Sequence, residues 1–240
     1  MLIDEIFGPT IQGEGAVIGV PTVFVRTGGC DYRCDWCDTL HAVLPEFKGN
    51  WKKMTPVEVF AEIEKLTNGK PILVTLSGGN PALHDDIEEL IDIGHELGYT
   101  FSMETQGSKP KQWMLKLDSL VLSPKPPSSL MEVNWQELER CLGLNNNTSI
   151  KVVVFDGADL QWFEDHIYSK YKSKKILQVG NFDAGMAFAE GGEYTPPKSE
   201  TETLLASLNW LAEEVLKRGW YDVRVLPQLH VLIWGNQRGV

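Results

Sequence analysis

The stretch Pro21–Cys37, PTVFVRTGGCDYRCDWC, joins an apolar, β-branched run to a loop that carries three of the four cysteines. The run Pro21–Arg26 predicts a buried strand. Similar runs recur along the chain, at Ile72–Leu76, Tyr99–Glu104, Ser119–Leu122, Ile150–Phe155, Ile176–Val179 and Asp222–Leu226. Helical patterns separate several of them, and such alternation predicts an α/β fold with a largely parallel sheet and outer helices.

The helical pattern after Met54 has a clear start signal. Thr55 is placed as the N-cap, Pro56 follows at the first helical position, and Glu58 completes a capping box. In parallel α/β folds the chemistry lies where strands end. The loops GGCDYRC, SGGNP, ETQG and SPKPPSS each follow a predicted strand. We therefore expect these four loops to share one edge of the sheet and to form the active site.

The charge and the hydropathy of the chain argue against a nucleic-acid-binding protein and against a membrane protein. The net charge is −11, from 22 basic and 33 acidic residues. No Lys/Arg run supplies the basic footprint of a nucleic-acid-binding protein, so we expect no nucleic-acid partner. No segment approaches the roughly 20 apolar residues of a membrane span, and the start MLIDEIFGPT lacks the basic region of a signal peptide. These features predict a cytoplasmic protein without membrane contact.

The cysteine spacing is Cys30-x3-Cys34-x2-Cys37, and Cys141 stands far away in a helical pattern. Clustered thiols indicate a metal site more than a disulfide framework. Three thiolates on one loop can hold three corners of an iron–sulfur cubane and leave one iron open. His41 follows Cys37 by four positions, so a closed Cys3His zinc site is the alternative.

The cysteine loop after an early strand resembles that of the radical S-adenosylmethionine superfamily. Trp36 fits the aromatic position before the third cysteine, and SGGNP at Ser77–Pro81 resembles the glycine-rich second motif. Asn80 stands where an acid is commoner. The resemblance implies a 4Fe-4S cluster that cleaves S-adenosylmethionine to a 5′-deoxyadenosyl radical.

The segment IFGPTIQGEG at Ile6–Gly15 occurs in order with the cysteine loop, SGGNPAL, ETQG, SPKPPS and the terminal VLPQLHVLIWGNQRGV. This combination resembles the 7-carboxy-7-deazaguanine synthase family over nearly the whole chain. The family converts 6-carboxy-5,6,7,8-tetrahydropterin to 7-carboxy-7-deazaguanine and ammonia, needs Mg2+ and regenerates S-adenosylmethionine. The resemblance further implies an incomplete TIM-type (β/α) barrel of about six parallel strands with outer helices, a homodimer, and a reductant such as flavodoxin or ferredoxin.

Site residues follow from the same resemblance. It places the cluster on Cys30, Cys34 and Cys37, and Mg2+ on the hydroxyl of Thr39. The residues expected to contact S-adenosylmethionine are Gly79, Ser123, Pro124, Lys125, Gln178, Val179, Gly180 and Asn181. Those expected to contact the pterin are Ile11, Gln12, Gly13, Glu14, Arg26, Ser77, Glu104 and His230.

Each assignment has a structural alternative. Arg26 ends an apolar strand, where a guanidinium needs a partner, and that partner is either the substrate carboxylate or a structural salt bridge. Thr39 is otherwise a helix N-cap, and His230 a packed structural residue. Glu104 is expected to bind the guanidine-like edge of the pterin or a ribose, and its structural alternative is the cap of a loop. Cys141 is expected to pack in its helix and to ligate nothing.

The chain shows no internal repeat or linker, which predicts one domain over residues 1–240. The Gly- and Pro-rich segment 181–199 predicts a mobile loop. Two other functions remain open at this point. A glycyl-radical-enzyme activase shares the cluster loop but does not require Arg26, Thr39 and QGEG together, and a non-catalytic zinc module requires only the metal ligands.

Overall fold

The computed structural model describes residues 1–181 and 198–240, and its centre is a nine-stranded sheet in the order β3-β1-β2-β4-β5-β6-β7-β8-β9. The strands are β1 (Leu2–Ile11), β2 (Pro21–Thr27), β3 (Lys52–Lys53), β4 (Leu73–Gly78), β5 (Thr100–Thr105), β6 (Ser119–Leu122), β7 (Thr148–Val154), β8 (Lys174–Val179) and β9 (Val223–Leu226). The helices are α1 (Leu40–Val43), α2 (Pro56–Thr67), α3 (Ile87–Glu96), α4 (Trp135–Leu142), α5 (Gly157–Phe163), α6 (Lys198–Lys217) and α7 (Leu229–Trp234).

Neighbouring strands from β2 to β9 in this order pair in parallel, whereas β1 pairs antiparallel with β2 and with β3. The parallel part therefore has seven strands, and each of them coincides with a strand predicted from sequence. The order ends at β3 on one side and β9 on the other, so the sheet formed by the described residues is open. The expected incomplete barrel is confirmed, with one parallel strand more than about six.

Strands β1 and β3 were not predicted. β1 mixes apolar and charged residues without strict alternation and contains Gly8 and Pro9, and its register with β2 shifts after Ile3 and again after Phe7. Such irregular, half-buried strands lack the continuous apolar run that marks a central parallel strand. β3 is only two exposed lysines long.

The two faces of the sheet differ in chemistry. Alternate residues of the parallel strands, such as Val25, Leu76 and Met103, pack under the helices in two hydrophobic clusters. Trp135 and Leu142 of α4 contact both clusters. Because side chains alternate along a strand, the intervening residues lie on the opposite face, and there the strands carry polar and charged groups.

Helix α2 begins as its sequence predicts. The Thr55 hydroxyl accepts from the Glu58 backbone N–H at 3.3 Å, and the Glu58 carboxylate accepts from the Thr55 backbone N–H at 2.7 Å. Within the described residues, no helix has both the length and the apolar character that crossing a membrane requires. Most of the loop predicted over 181–199, namely residues 182–197, lies outside the described residues, whereas Lys198 and Ser199 belong to α6 and not to a loop.

Candidate active site

A cavity of about 250 Å3 opens at the carboxyl edge of the parallel sheet. Sixteen of the twenty predicted site residues line it, namely Ile11, Gln12, Gly13, Glu14, Arg26, Cys30, Cys34, Cys37, Thr39, Ser77, Gly79, Glu104, Ser123, Lys125, Asn181 and His230. They come from the last residues of β1, β2, β4 and β5, from the loops that follow β1, β2, β4, β6 and β8, and from α7. The fold thus brings residues from both ends of the sequence to one site.

The three thiols lie on the loop between β2 and α1. The Tyr32 backbone N–H donates to Cys30 Sγ at 3.4 Å, and the Trp36 indole donates to Ser128 Oγ at 3.0 Å. Burial raises the pKa of all three thiols, to about 11 for Cys37. Three soft sulfur donors facing one cavity, with Cys141 packed away in the core, fit a cluster that keeps one iron open.

Thr39 stands at the N-cap position of α1, but its side chain makes no capping hydrogen bond. Its hydroxyl lies 3.7 Å from Cys37 Sγ and faces the cavity. Thr39 therefore occupies the N-cap position, as the structural alternative predicts, but its hydroxyl does not cap the helix. That hydroxyl is placed where it can ligate a hard cation.

His41 does not join the thiols in the way that the Cys3His zinc alternative requires. Its Nδ1 lies 2.7 Å from Asp4 Oδ2, and with Glu5 these side chains form a close group. Arg238 contacts both carboxylates, at 3.2 Å to Asp4 and 2.9 Å to Glu5. Burial alone would raise the pKa of Asp4, but His41 and Arg238 outweigh it and the pKa is lowered. The group is an ion-pair network on the wall of the cavity.

Arg26 satisfies part of both of its predicted roles. Its Nε donates to Glu5 Oε1 at 2.7 Å, so a structural salt bridge is present. The guanidinium also lines the cavity and lies over the ring of Phe7, with 5.7 Å between Cζ and the ring centroid. One edge of the fork is thus held by the protein beside the thiol loop.

The QGEG turn is held against α7. Leu229 N–H donates to the Gly13 carbonyl at 2.9 Å, and a Cβ on Gly13 would lie 2.1 Å from His230 Nδ1. Only glycine permits that approach. The Glu14 backbone N–H donates to Gln12 Oε1 at 3.0 Å. The close packing explains why Gly13 and His230, distant in sequence, border the same cavity.

Lys151 of β7 was missed by the sequence analysis. Its side chain is 1% exposed, and its Nζ lies 2.5 Å from Glu14 Oε2 and 2.6 Å from Glu104 Oε1. Burial opposes its charge, but the two carboxylates outweigh burial and raise its pKa. Burial likewise opposes ionisation of Glu14, yet Lys151 and His230 lower its pKa well below the usual range. The available signal was a lysine inside a strand predicted to be fully buried.

The glycine-rich loop after β4 packs against the thiol loop. A Cβ on Gly79 would lie 2.0 Å from the Gly29 carbonyl oxygen, so this approach also requires glycine. Asn80 is fully buried, donates to Asp31 Oδ1 at 2.8 Å and accepts from the Thr105 hydroxyl at 2.8 Å. The residue that replaces the commoner acid therefore links the two loops through the Asp31 carboxylate.

Across the cavity, Lys125 Nζ donates to Ser123 Oγ at 3.2 Å and lies over the Trp36 ring, 5.4 Å from its centroid. These contacts place an ammonium beside the thiols.

Asn181, which follows β8, also lines the cavity. Its Nδ2 donates to Asn236 Oδ1 at 2.6 Å.

Four predicted residues, Pro124, Gln178, Val179 and Gly180, are buried but do not line the cavity. Val179 packs in a hydrophobic cluster under the helices. Gln178 is fully buried, and neither polar atom of its amide has a partner among the described residues. It lies on the opposite face of β8 from Val179, the face that carries the polar groups. An unpaired buried amide on that face fits a polar ligand such as S-adenosylmethionine.

The open parallel sheet and the three thiols after its first parallel strand define a radical S-adenosylmethionine enzyme, and the sequence model of the Radical SAM superfamily matches residues 24–123. The chain is 41% identical to the 7-carboxy-7-deazaguanine synthase of Bacillus cereus and 42% identical to that of Bacillus subtilis. Each alignment covers 98% of this chain and 97% of the relative. The chain therefore belongs to the 7-carboxy-7-deazaguanine synthase family.

The solved structure of QueE from Escherichia coli has a similar fold. Its TM-score is 0.66 at 22% identity, with 95% of this chain and 94% of that chain covered. The likeness supports the open α/β sheet independently of close sequence similarity.

Proposed function

We propose that the chain converts 6-carboxy-5,6,7,8-tetrahydropterin to 7-carboxy-7-deazaguanine with loss of ammonia, in the biosynthesis of queuosine and other 7-deazapurines. The observation that carries this proposal is one cavity lined by the three thiols, by Arg26 and by Glu14 and Glu104, the two carboxylates that pair with Lys151. Family membership at 41–42% identity supports it.

The cofactor side of the cavity supplies sulfur and polar contacts. Cys30, Cys34 and Cys37 would hold a 4Fe-4S cluster, and the Gly79 backbone, Ser123, Pro124, Lys125 and Gln178–Asn181 would contact S-adenosylmethionine. When bound, the cluster and S-adenosylmethionine would together supply a carbon radical that takes a hydrogen atom from the substrate. The ammonium of Lys125, which lines the cavity beside the thiols, supports the placement of a polar cofactor here.

The substrate side would orient the pterin. Arg26 and a Mg2+ ion on Thr39 would grip its carboxylate, since guanidinium and hydrated Mg2+ both suit carboxylate oxygens. Ile11, Gln12, Gly13, Glu14, Ser77, Glu104 and His230 would surround the ring. A substrate radical held in one orientation and shielded from water follows one course, which is the contribution of these residues.

We also propose the domain organisation and the cellular setting of the protein. Residues 1–240 would form one domain, which the continuous nine-stranded sheet supports. The enzyme would act in the cytoplasm as a homodimer and receive electrons from a flavodoxin or ferredoxin. It would have no nucleic-acid partner, in line with the net charge of −11.

The test is an anaerobic incubation of the reconstituted protein with the carboxypterin, S-adenosylmethionine, Mg2+ and a reductant. Mass spectrometry should detect 7-carboxy-7-deazaguanine, and ammonia should appear with it. Activation of a glycyl-radical enzyme without conversion of the pterin would refute the proposal in favour of an activase.

A further inference from the structure

Lys151 lies behind the cavity wall. It is 1% exposed and does not line the cavity, whereas Glu14 and Glu104 do. The Glu104 side chain is 29% exposed, so it is the member of the group that a ligand reaches most readily. The lysine therefore acts on a ligand only through the two carboxylates.

The group has a defined charge. One ammonium lies between two carboxylates, which leaves one net negative charge facing the cavity. Glu14 uses its other oxygen, Oε1, to accept from Gln228 at 2.9 Å. Both of its oxygens are thus engaged by the protein, and Glu104 is the carboxylate available to a ligand.

The ammonium of Lys151 allows Glu14 and Glu104 to be ionised at the same time. Both bond the same nitrogen, so their oxygens lie within about 5 Å of each other, where like charges raise one pKa of a pair. Val121 of the neighbouring strand β6 lies beside Gly15 of this turn, and His230 of α7 is a further titratable group that acts on Glu14. Lys151 supplies the direct ion pairs to both acids.

We propose that Lys151 is a positioning residue that fixes Glu104 as a carboxylate acceptor for the guanidine-like N–H edge of the substrate ring. The inference rests on the proposed function, because it assigns the ring edge of the proposed pterin to this carboxylate. An ionised acceptor bonds two neighbouring N–H donors, whereas a protonated acid has lost part of that capacity. The group would thus select ligands that carry a 2-amino group beside a ring N–H.

The test measures equilibrium binding of two ligands to the anaerobically reconstituted enzyme with S-adenosylmethionine present. One ligand is the carboxytetrahydropterin and the other is its analogue without the 2-amino group. Wild-type enzyme should bind the analogue at least tenfold more weakly. Lys151→Met should bind the pterin at least tenfold more weakly at neutral pH and lose most of that discrimination.

The pH dependence separates positioning from packing. Without Lys151 the negative charges of Glu14 and Glu104 have no ammonium between them, which favours uptake of a proton that is released as pH rises, so binding by Lys151→Met should recover with increasing pH. The wild type carries the same His230, and its pH profile is the reference. Lys151→Met/Glu14→Gln removes the like charge and should restore discrimination at neutral pH. Lys174→Met removes an exposed lysine of β8 and should leave both affinities unchanged.

The inference is overturned if Lys151→Met keeps wild-type affinity, discrimination and pH profile. If that variant does not fold, the double variant decides, and folding without discrimination overturns the inference. Failure of the wild type to bind or convert the pterin would instead refute the proposed function.

Discussion

Arg26 and Glu5 face each other across the antiparallel pair β1–β2, with Arg26 Nε 2.7 Å from Glu5 Oε1. The contact occupies one N–H of the guanidinium and fixes its plane, while the terminal nitrogens carry four further donors. The side chain lines the cavity beside the thiol loop. A guanidinium held in this way is oriented before a carboxylate arrives, which reduces the entropy lost on binding.

We expect Arg26→Ala to weaken binding of the carboxypterin by roughly ten- to a hundredfold, because a charge-assisted contact contributes about 1.5–3 kcal/mol. Glu5 keeps Arg238 as a partner, so the variant should fold. Arg26→Lys keeps the charge without the fork and should be intermediate. Equilibrium dialysis gives the affinities, and unchanged affinity in Arg26→Ala would remove Arg26 from the substrate site.

Thr39→Ala should raise the Mg2+ concentration needed for half-maximal activity, because the hydroxyl that faces the cavity is lost. Thr39→Ser keeps the hydroxyl and is the matched control. Neither variant should change iron content, since the three thiols are untouched. A Mg2+ titration that is identical for Thr39→Ala and wild type would show that Thr39 does not bind the ion.

Anaerobic reconstitution should give about four irons and four sulfides per chain, as three thiolates suit a cubane. Alanine at Cys30, Cys34 or Cys37 should abolish the cluster and its brown colour. Cys141→Ala should keep both, because that thiol is buried in the core with the Gly107 carbonyl as its partner at 3.6 Å. Stoichiometric zinc without iron in the wild-type protein would contradict the cluster assignment.

Gly13→Ala should weaken substrate binding, because a Cβ at this position would lie 2.1 Å from the His230 ring and force α7 away from the QGEG turn. Gly157→Ala is the control, since a Cβ there meets nothing within 4 Å. The midpoint temperature of thermal unfolding and the affinity for the pterin should both fall for Gly13→Ala. Both should stay near their wild-type values for Gly157→Ala. Wild-type affinity in Gly13→Ala would show that the turn tolerates the displacement.

The parallel strands could be predicted because each is a short apolar run, and the loops after them could be placed because parallel strands end at one edge. The partners of individual side chains could not. Glu5, which holds Arg26, belongs to β1, whose mixed pattern gave no strand signal. Pairing across 21 residues depends on the register of two strands, which periodicity does not specify.

The ion-pair partners of Lys151 could not be predicted from the sequence either. In the run IKVVVF one lysine among apolar residues is compatible with an edge position or a local irregularity. Only the fold shows that Glu14 and Glu104, which lie 137 and 47 positions earlier, converge on its ammonium. A charge can be buried in such a strand because its partners arrive from distant segments.

The most direct test counts two products in one anaerobic reaction of the reconstituted enzyme with the carboxypterin, Mg2+, reductant and a limiting amount of S-adenosylmethionine. We predict 7-carboxy-7-deazaguanine in excess of the cofactor supplied, with little 5′-deoxyadenosine, because the cofactor is regenerated in each turnover. Cleavage of S-adenosylmethionine to 5′-deoxyadenosine with no 7-carboxy-7-deazaguanine, or a strict ratio of one to one between the two products, would contradict this prediction.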